Sequence, residues 1–347
     1  MKEQDTILRA IQETFSAGMV TLIGSGLSAA SGLPSMKDLA NHLLEHIDDA
    51  QFAPGSAEAT RWEQIEKRLV NGDALEPALG SDPIPSLLRI AISEQIVRCI
   101  DPKEQEAIRR LLSEPLPPPL ARLLELVLLK NPIAEVITTN YDRLIEVSAT
   151  RVRIRVDTQF YGHTIGHLDE KLSREELLKP ALSKAGKGEL RMVFREHIRL
   201  SKPHGSLNWY STETAPVRSE LALDGERLVV APGTDKYRML FDTPFQEHLA
   251  RANKAINNAT SFLMIGYGFN DDHLQTQLLK RFRDVPSVLM ARTLTAPAHE
   301  YLQSNSSSIG LESHRDGGAM AHRGSTTTIF EPPIWELDTF LEEVFQK

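Results

Sequence analysis

Four short polar segments carry the residue types that could do chemistry. Gly24-Ser25-Gly26 follows the apolar run 19–23. Glycines at the end of a strand let the backbone turn tightly and approach a pyrophosphate, and a following helix offers N–H groups and its positive dipole end. The next glycine is Gly32, so the spacing is not G-x-G-x-x-G, and a plain tight turn remains an alternative. Asn140 and Asp142 lie in Thr139-Asn140-Tyr141-Asp142. An asparagine amide can hold a water and a hydroxyl together, although it cannot act as a base. Helix capping for Asn140 and a first-turn acid role for Asp142 are the structural alternatives. His204 lies in Pro203-His204-Gly205-Ser206. Histidine titrates where a base for a ribose hydroxyl or a water must work. Gly266-Tyr267-Gly268 end another apolar run and lead into Phe269-Asn270-Asp271-Asp272-His273. The two glycines would let a ribose or a base approach the backbone. Tyr267 and Phe269 could stack on a base or simply pack together, and capping accounts for Asn270, Asp271 and Asp272.

Other combinations lead nowhere. His42 and His46 have helical metal spacing but sit off the apolar stripe without H-E-x-x-H. His163 and His167 show no partner ligands. Ser206 is not in a G-x-S-x-G elbow, and no P-loop motif occurs. The single cysteine, Cys99, excludes a disulfide framework and any cysteine-pair zinc site. No metal is expected.

The elements that must position these segments alternate between strand and helix. Apolar stripes mark helices over 5–17 and 36–47, and again after PLPPPL at 115–120. Short buried runs mark strands at 19–23, 134–138, 228–231, 261–265 and 287–291. Residues 198–210 read as an extended segment turning at glycine, whereas 151–198 are mixed. This pattern predicts an α/β fold with a parallel, Rossmann-like sheet. One domain is expected over 1–300, with a helical insertion at about 50–130. Residues 301–347 are expected to be a polar loop, a possible edge strand at 326–330 and a C-terminal helix.

With 41% hydrophobic and 25% charged residues in 347, the chain has the composition of a globular protein with a full core. No window approaches the ~20 apolar residues that span a bilayer, and the N-terminus lacks a signal core. A reducing, cytoplasmic setting is expected. Acidic residues outnumber basic ones by 47 to 39, which argues against direct nucleic-acid binding.

GSGLSAASGLPS, taken whole, resembles the sirtuin signature loop, with Gly24, Gly26, Ser28, Ser31, Gly32 and Pro34 at matching positions. TTNYD and PHGS follow in the family's order and resemble its asparagine–aspartate and catalytic histidine segments. The resemblance covers roughly residues 18–290. It departs where most sirtuin deacetylases carry four zinc-binding cysteines, and Ser35-Met36-Lys37 replaces the phenylalanine–arginine pair. GLPSM, TTNYD, KPHGS and IGYGFNDDHL look more like the bacterial SIR2-like branch of anti-phage defence. That resemblance implies NAD as substrate, cleaved to nicotinamide and ADP-ribose, without a zinc module. It implies catalytic roles for Asn140 and His204. Cofactor contacts would come from Gly24, Ser25, Gly26, Ser28, Ser31, Gly32, Pro34, Asp142, Gly266, Tyr267 and Gly268. It also implies a homo-oligomer and a separate activator, such as a HerA-type ATPase or a short Argonaute. A zinc-free deacylase and a non-catalytic NAD- or ADP-ribose-binding module remain alternatives.

Overall fold

A computed structural model describes residues 2–80, 82–182, 190–232, 242–269 and 271–345. A nine-stranded sheet organises the molecule. Met19–Ile23 lies inside it, paired in parallel with Ile133–Thr138 on one side and Ser261–Ile265 on the other. His197–Ser201 and then Arg155–Asp157 extend the first side, also in parallel. Ser287–Met290 and Ile309–Ser313 extend the second. Every residue of Met19–Ile23, Ser261–Ile265 and Ser287–Met290 is buried. Helices cover both faces of such a sheet, so its central strands read as unbroken apolar runs rather than alternating ones.

The chain leaves Met19–Ile23 toward one side of the sheet and later builds the other side from Ser261–Ile265 outward. The two therefore flank a topological switch point, and the crevice outside their carboxyl ends is where open α/β sheets bind ligands.

The stretch between the first two strands is helical, with Ala57–Val70, Leu75–Leu79, Ser86–Ser113 and Pro119–Lys130. Pro119 opens the last of these, in the first turn, where the missing N–H costs least. Met36–His46 begins with a capping box in which Ser35 accepts from the Asp38 N–H and Asp38 accepts from the Ser35 N–H. The mixed stretch 151–198 supplies short strands to a second, five-stranded sheet and to the hairpin Leu178–Leu182/Leu190–Phe194.

Two expectations change. Residues 309–330 form three strands, Ile309–Ser313, Ala319–Arg323 and Thr326–Phe330, instead of a polar loop with one edge strand. The parallel pairing of Ile309–Ser313 also carries the sheet across residue 300, where the sequence suggested a boundary. Small residues hid these strands: Gly310, Ala319 and Ala321 fill inward positions that larger apolar residues usually mark.

Candidate active site

Four loops meet at the carboxyl ends of the parallel strands. They follow Met19–Ile23, Ile133–Thr138, His197–Ser201 and Ser261–Ile265. Between them is a small cleft of about 160 Å³. Gly24, Ser25, Ser28, Pro34, Asn140, Asp142, His204, Tyr267, Gly268 and Asp271 all line it.

Backbone and side-chain bonds fix the asparagine loop. Thr138 Oγ1 donates to the Ile23 carbonyl at 2.8 Å and accepts from the Asn140 N–H at 3.1 Å. Asn140 Nδ2 then donates to the Gly24 carbonyl at 2.9 Å and to Ser28 Oγ at 2.8 Å. Ser28 Oγ in turn donates to Asp142 Oδ2 at 2.6 Å. This chain joins the first two loops and leaves the Asn140 carbonyl oxygen as the amide's remaining acceptor. Asn140 is not the helix cap. That position belongs to Arg143, and the Leu144 N–H donates to Asp142 Oδ1 at 3.1 Å.

Asp142 is buried, and that burial holds its carboxyl above the usual carboxylate range. Lys202, the Ser28 hydroxyl and the Leu144 N–H pull the other way without cancelling it. The Lys202 ammonium binds the Asp142 backbone carbonyl at 2.6 Å rather than the carboxylate. It also meets Ser206 Oγ at 2.8 Å and Glu146 Oε1 at 3.2 Å. Ser206 is thus part of the packing under the loop.

His204 sits where the chain leaves the parallel sheet. Gly205, at φ +86°, turns it into the second sheet, and a side chain there would strike the Leu228 carbonyl. The turn holds the imidazole over the cleft, with Nε2 2.6 Å from Asp271 Oδ2. Capping explained Asp271 in the sequence, and the Leu274 N–H does donate to its Oδ1, at a long 3.4 Å. Nothing in the spacing announced its contact with His204, nor the burial of Lys202. Asn270 lies outside the described residues, as do the side chains of Asp272 and His273.

The glycines also serve loop packing. Gly26 lies inside the helix Ser25–Ala30, and its N–H donates to the Gly266 carbonyl at 3.1 Å. A Cβ on Gly26 would stand 2.7 Å from Gly266 Cα, and one on Gly24 would stand 2.3 Å from the Gly266 carbonyl oxygen. These glycines let two loops close on each other. Ser31 and Gly32 lie outside this cleft. The Ser31 carbonyl accepts from Arg110 Nη2 at 2.8 Å, and Gly32 turns at φ +89° beside the same guanidinium. Gly26, Ser31 and Gly266 border a second cleft on the other side of Ser25–Ala30, which Ser25, Tyr267 and Gly268 share with the first.

Among the described residues, no group of three or more histidine, cysteine, aspartate or glutamate side chains could hold a metal ion. The His42 and His46 rings stack at 3.9 Å, while His163 and His167 are exposed. No described helix is long and apolar enough to cross a membrane.

Together the sheet and its crevice define a Rossmann-like α/β protein with a cleft at the switch point. Residues 134–302 match the family model described as SIR2-like domain, which supports a SIR2-like fold. The match covers a little under half of the chain and includes Asn140, Asp142, His204 and Asp271. No curated protein matches. Among solved structures, "Structural Basis for the Mechanism and Regulation of Sir2 Enzymes" is 14% identical over 98% of this chain and 96% of that chain, with a TM-score of 0.45. A second, "Crystal structure of a Sir2 homolog-NAD complex", is 13% identical over 85% and 84%, with a TM-score of 0.36.

Proposed function

We propose that this protein is an NAD glycohydrolase that releases nicotinamide and ADP-ribose. The observation that carries the reading is the convergence of Asn140, Asp142 and His204, from two different strand ends, on one cleft at the switch point. The SIR2-like match over these residues points to the same substrate class.

The proposed reaction breaks the bond between the nicotinamide nitrogen and ribose C1′. Its electron pair goes to the ring nitrogen, so nicotinamide leaves neutral, and water adds to the oxocarbenium-like carbon. Asn140 would hold that water or a ribose hydroxyl through its free acceptor. His204 would take the proton. Asp142 would meet the carboxamide, because a buried carboxyl with no cation in contact is a ready hydrogen-bond partner. An NAD-depleting enzyme in a defence system must be restrained, so a homo-oligomer or a separate activator protein is part of the proposal.

Incubation with NAD, with and without an acyl-lysine peptide, tests it. Free nicotinamide without peptide supports the glycohydrolase. Release only with peptide would make the protein a deacylase, and binding without release would make it a non-catalytic module.

A further inference from the structure

We infer that Asp271 is a positioning residue for His204, fixing which ring nitrogen carries the proton. The inference rests on the hydrolase reading above. His204 and Asp271 reach the cleft from loops whose strands are separated in the sheet by Met19–Ile23 and Ile133–Thr138. Their contact, Nε2 to Oδ2 at 2.6 Å, therefore bridges the switch point. Both residues are nine-tenths buried or more, at 6% and 5% exposure. Capping uses the other oxygen, Oδ1, and does not require the second to meet a buried histidine.

Two other basic groups, Lys202 and His248, are engaged elsewhere. Lys202 Nζ is bound to the carbonyls of Tyr141 and Asp142, to Glu146 and to Ser206. His248 accepts the Lys202 N–H through Nδ1 at 3.1 Å. Burial keeps His248 well below the ordinary histidine range and hence neutral.

Nε2 and Oδ2 stand at ion-pair distance without an aligned hydrogen bond in this structure. A proton on Nε2 is what lets a small ring rotation close the pair, and Nδ1 then keeps the lone pair. During the reaction a water proton passes to Nδ1 as the water oxygen bonds to C1′. Nε2–H stays bonded to Asp271, whose charge faces the new imidazolium. The proton then leaves to solvent, and NAD plus water has become nicotinamide, ADP-ribose and one proton. This is the orienting role that an aspartate plays in a hydrolase triad, here with the opposite ring nitrogen.

Asp271→Asn tests this in the full-length chain, because asparagine is as good a helix cap as aspartate. The expected result is a fall in kcat of about tenfold or more, with KM within about twofold of wild type. The rise in melting temperature on adding NAD should be kept. Asp271→Glu should recover part of the loss. Histidine ¹⁵N spectra, assigned with His204→Gln, should show His204 protonated at Nε2 in the wild type and a mixture in Asp271→Asn. Full kcat in Asp271→Asn, or a fall in kcat with the tautomer unchanged, would overturn the inference. So would a wild-type spectrum with the proton on Nδ1, a result that does not depend on the variant folding. A wild-type chain that releases no nicotinamide defeats the hydrolase reading instead, and the spectra then judge the contact separately.

Discussion

Two buried aspartates, Asp157 and Asp142, lie near the strand His197–Ser201, and they are held in opposite ways. Asp157 closes the strand Arg155–Asp157. Its Oδ2 meets Arg251 Nη1 at 3.1 Å, and its Oδ1 accepts from the Gln159 N–H and the Ser173 hydroxyl, each at 2.9 Å. Burial pushes this carboxyl up, but the Arg251 guanidinium and those donors outweigh it, so Asp157 stays below the usual range. Asp142 is equally enclosed and also accepts from a hydroxyl and a backbone N–H, yet burial wins and its carboxyl is raised. The difference is the cation. Arg251 touches the Asp157 carboxylate, whereas Lys202 touches only the Asp142 backbone. Asp142 lines the cleft, whereas Asp157 lines neither that cleft nor the second one. Burial with hydrogen bonding thus describes both sites. What sets a ligand site apart is a charge left unneutralised beside open space.

The sharpest way to break this comparison is to remove the reacting groups. Asn140→Ala and His204→Ala should each lower nicotinamide release by about 10²-fold or more. Asn140→Ala should cost only about 1 kcal/mol of stability, the usual worth of a side-chain hydrogen bond. Circular dichroism and a melting curve check the fold, and a nicotinamide assay checks the rate. Near-wild-type turnover in both folded variants would mean that the cleft is not the reaction site.

The Arg251 cluster should show the reverse. Arg251→Met strands the Asp157 carboxylate in the interior, and breaking a buried pair in this way costs about 3–5 kcal/mol. Chemical denaturation reads that loss. Nicotinamide release per folded molecule should stay within about twofold of wild type. A variant with normal stability but lost turnover would place Arg251 in the reaction and erase the contrast.

Much of this arrangement was legible beforehand. Apolar runs such as SFLMI and MVTLI gave the parallel strands, because strands covered on both faces need no polar alternation. The order of the polar segments pointed to Asn140, Asp142 and His204, and the cleft gathers all three. Long-range charge pairing was not legible. Asp271 lies 67 positions beyond His204, and Lys202 looks like any surface lysine until the loops close around it. The packing role of the glycines was also hidden, since Gly24 and Gly26 lie against Gly266, a residue of a distant loop.

Those glycines give a smaller, mixed effect. In Gly26→Val the new side chain must push against the Gly266 backbone, which cannot rotate away as a side chain would. Overpacking of this kind costs about 1–3 kcal/mol. Separating the two loops should also remove most of the rise in melting temperature on adding NAD, because only a ligand bound to the native state produces it. A folded Gly26→Val protein that keeps the full rise would show that loop closure is not needed for binding.

The smallest effect comes from Asp142 and has an unusual sign. Its carboxyl is raised in the folded protein, so the native state holds that proton more tightly than the unfolded chain does. The contribution of Asp142 to stability therefore falls as pH rises above the ordinary carboxylate range, and the ionised group costs stability at neutral pH. Asp142→Asn removes the charge and keeps an oxygen that can accept from Ser28 or Leu144. The variant should melt roughly 1–3 °C higher than wild type at pH 7, the size expected for a fraction of a kcal/mol to about 1 kcal/mol in a chain of this length. The gap should narrow as the pH falls through the raised folded value and close only below about 3.9, the ordinary aspartate value, where the wild-type carboxyl is protonated in both states. The same variant should lose most of the NAD-dependent rise. Asp157→Asn, by contrast, leaves Arg251 without its counter-charge and should melt lower at pH 7. If Asp142→Asn also melts lower there, by an amount that does not change with pH, the two aspartates are alike and Asp142 is packing.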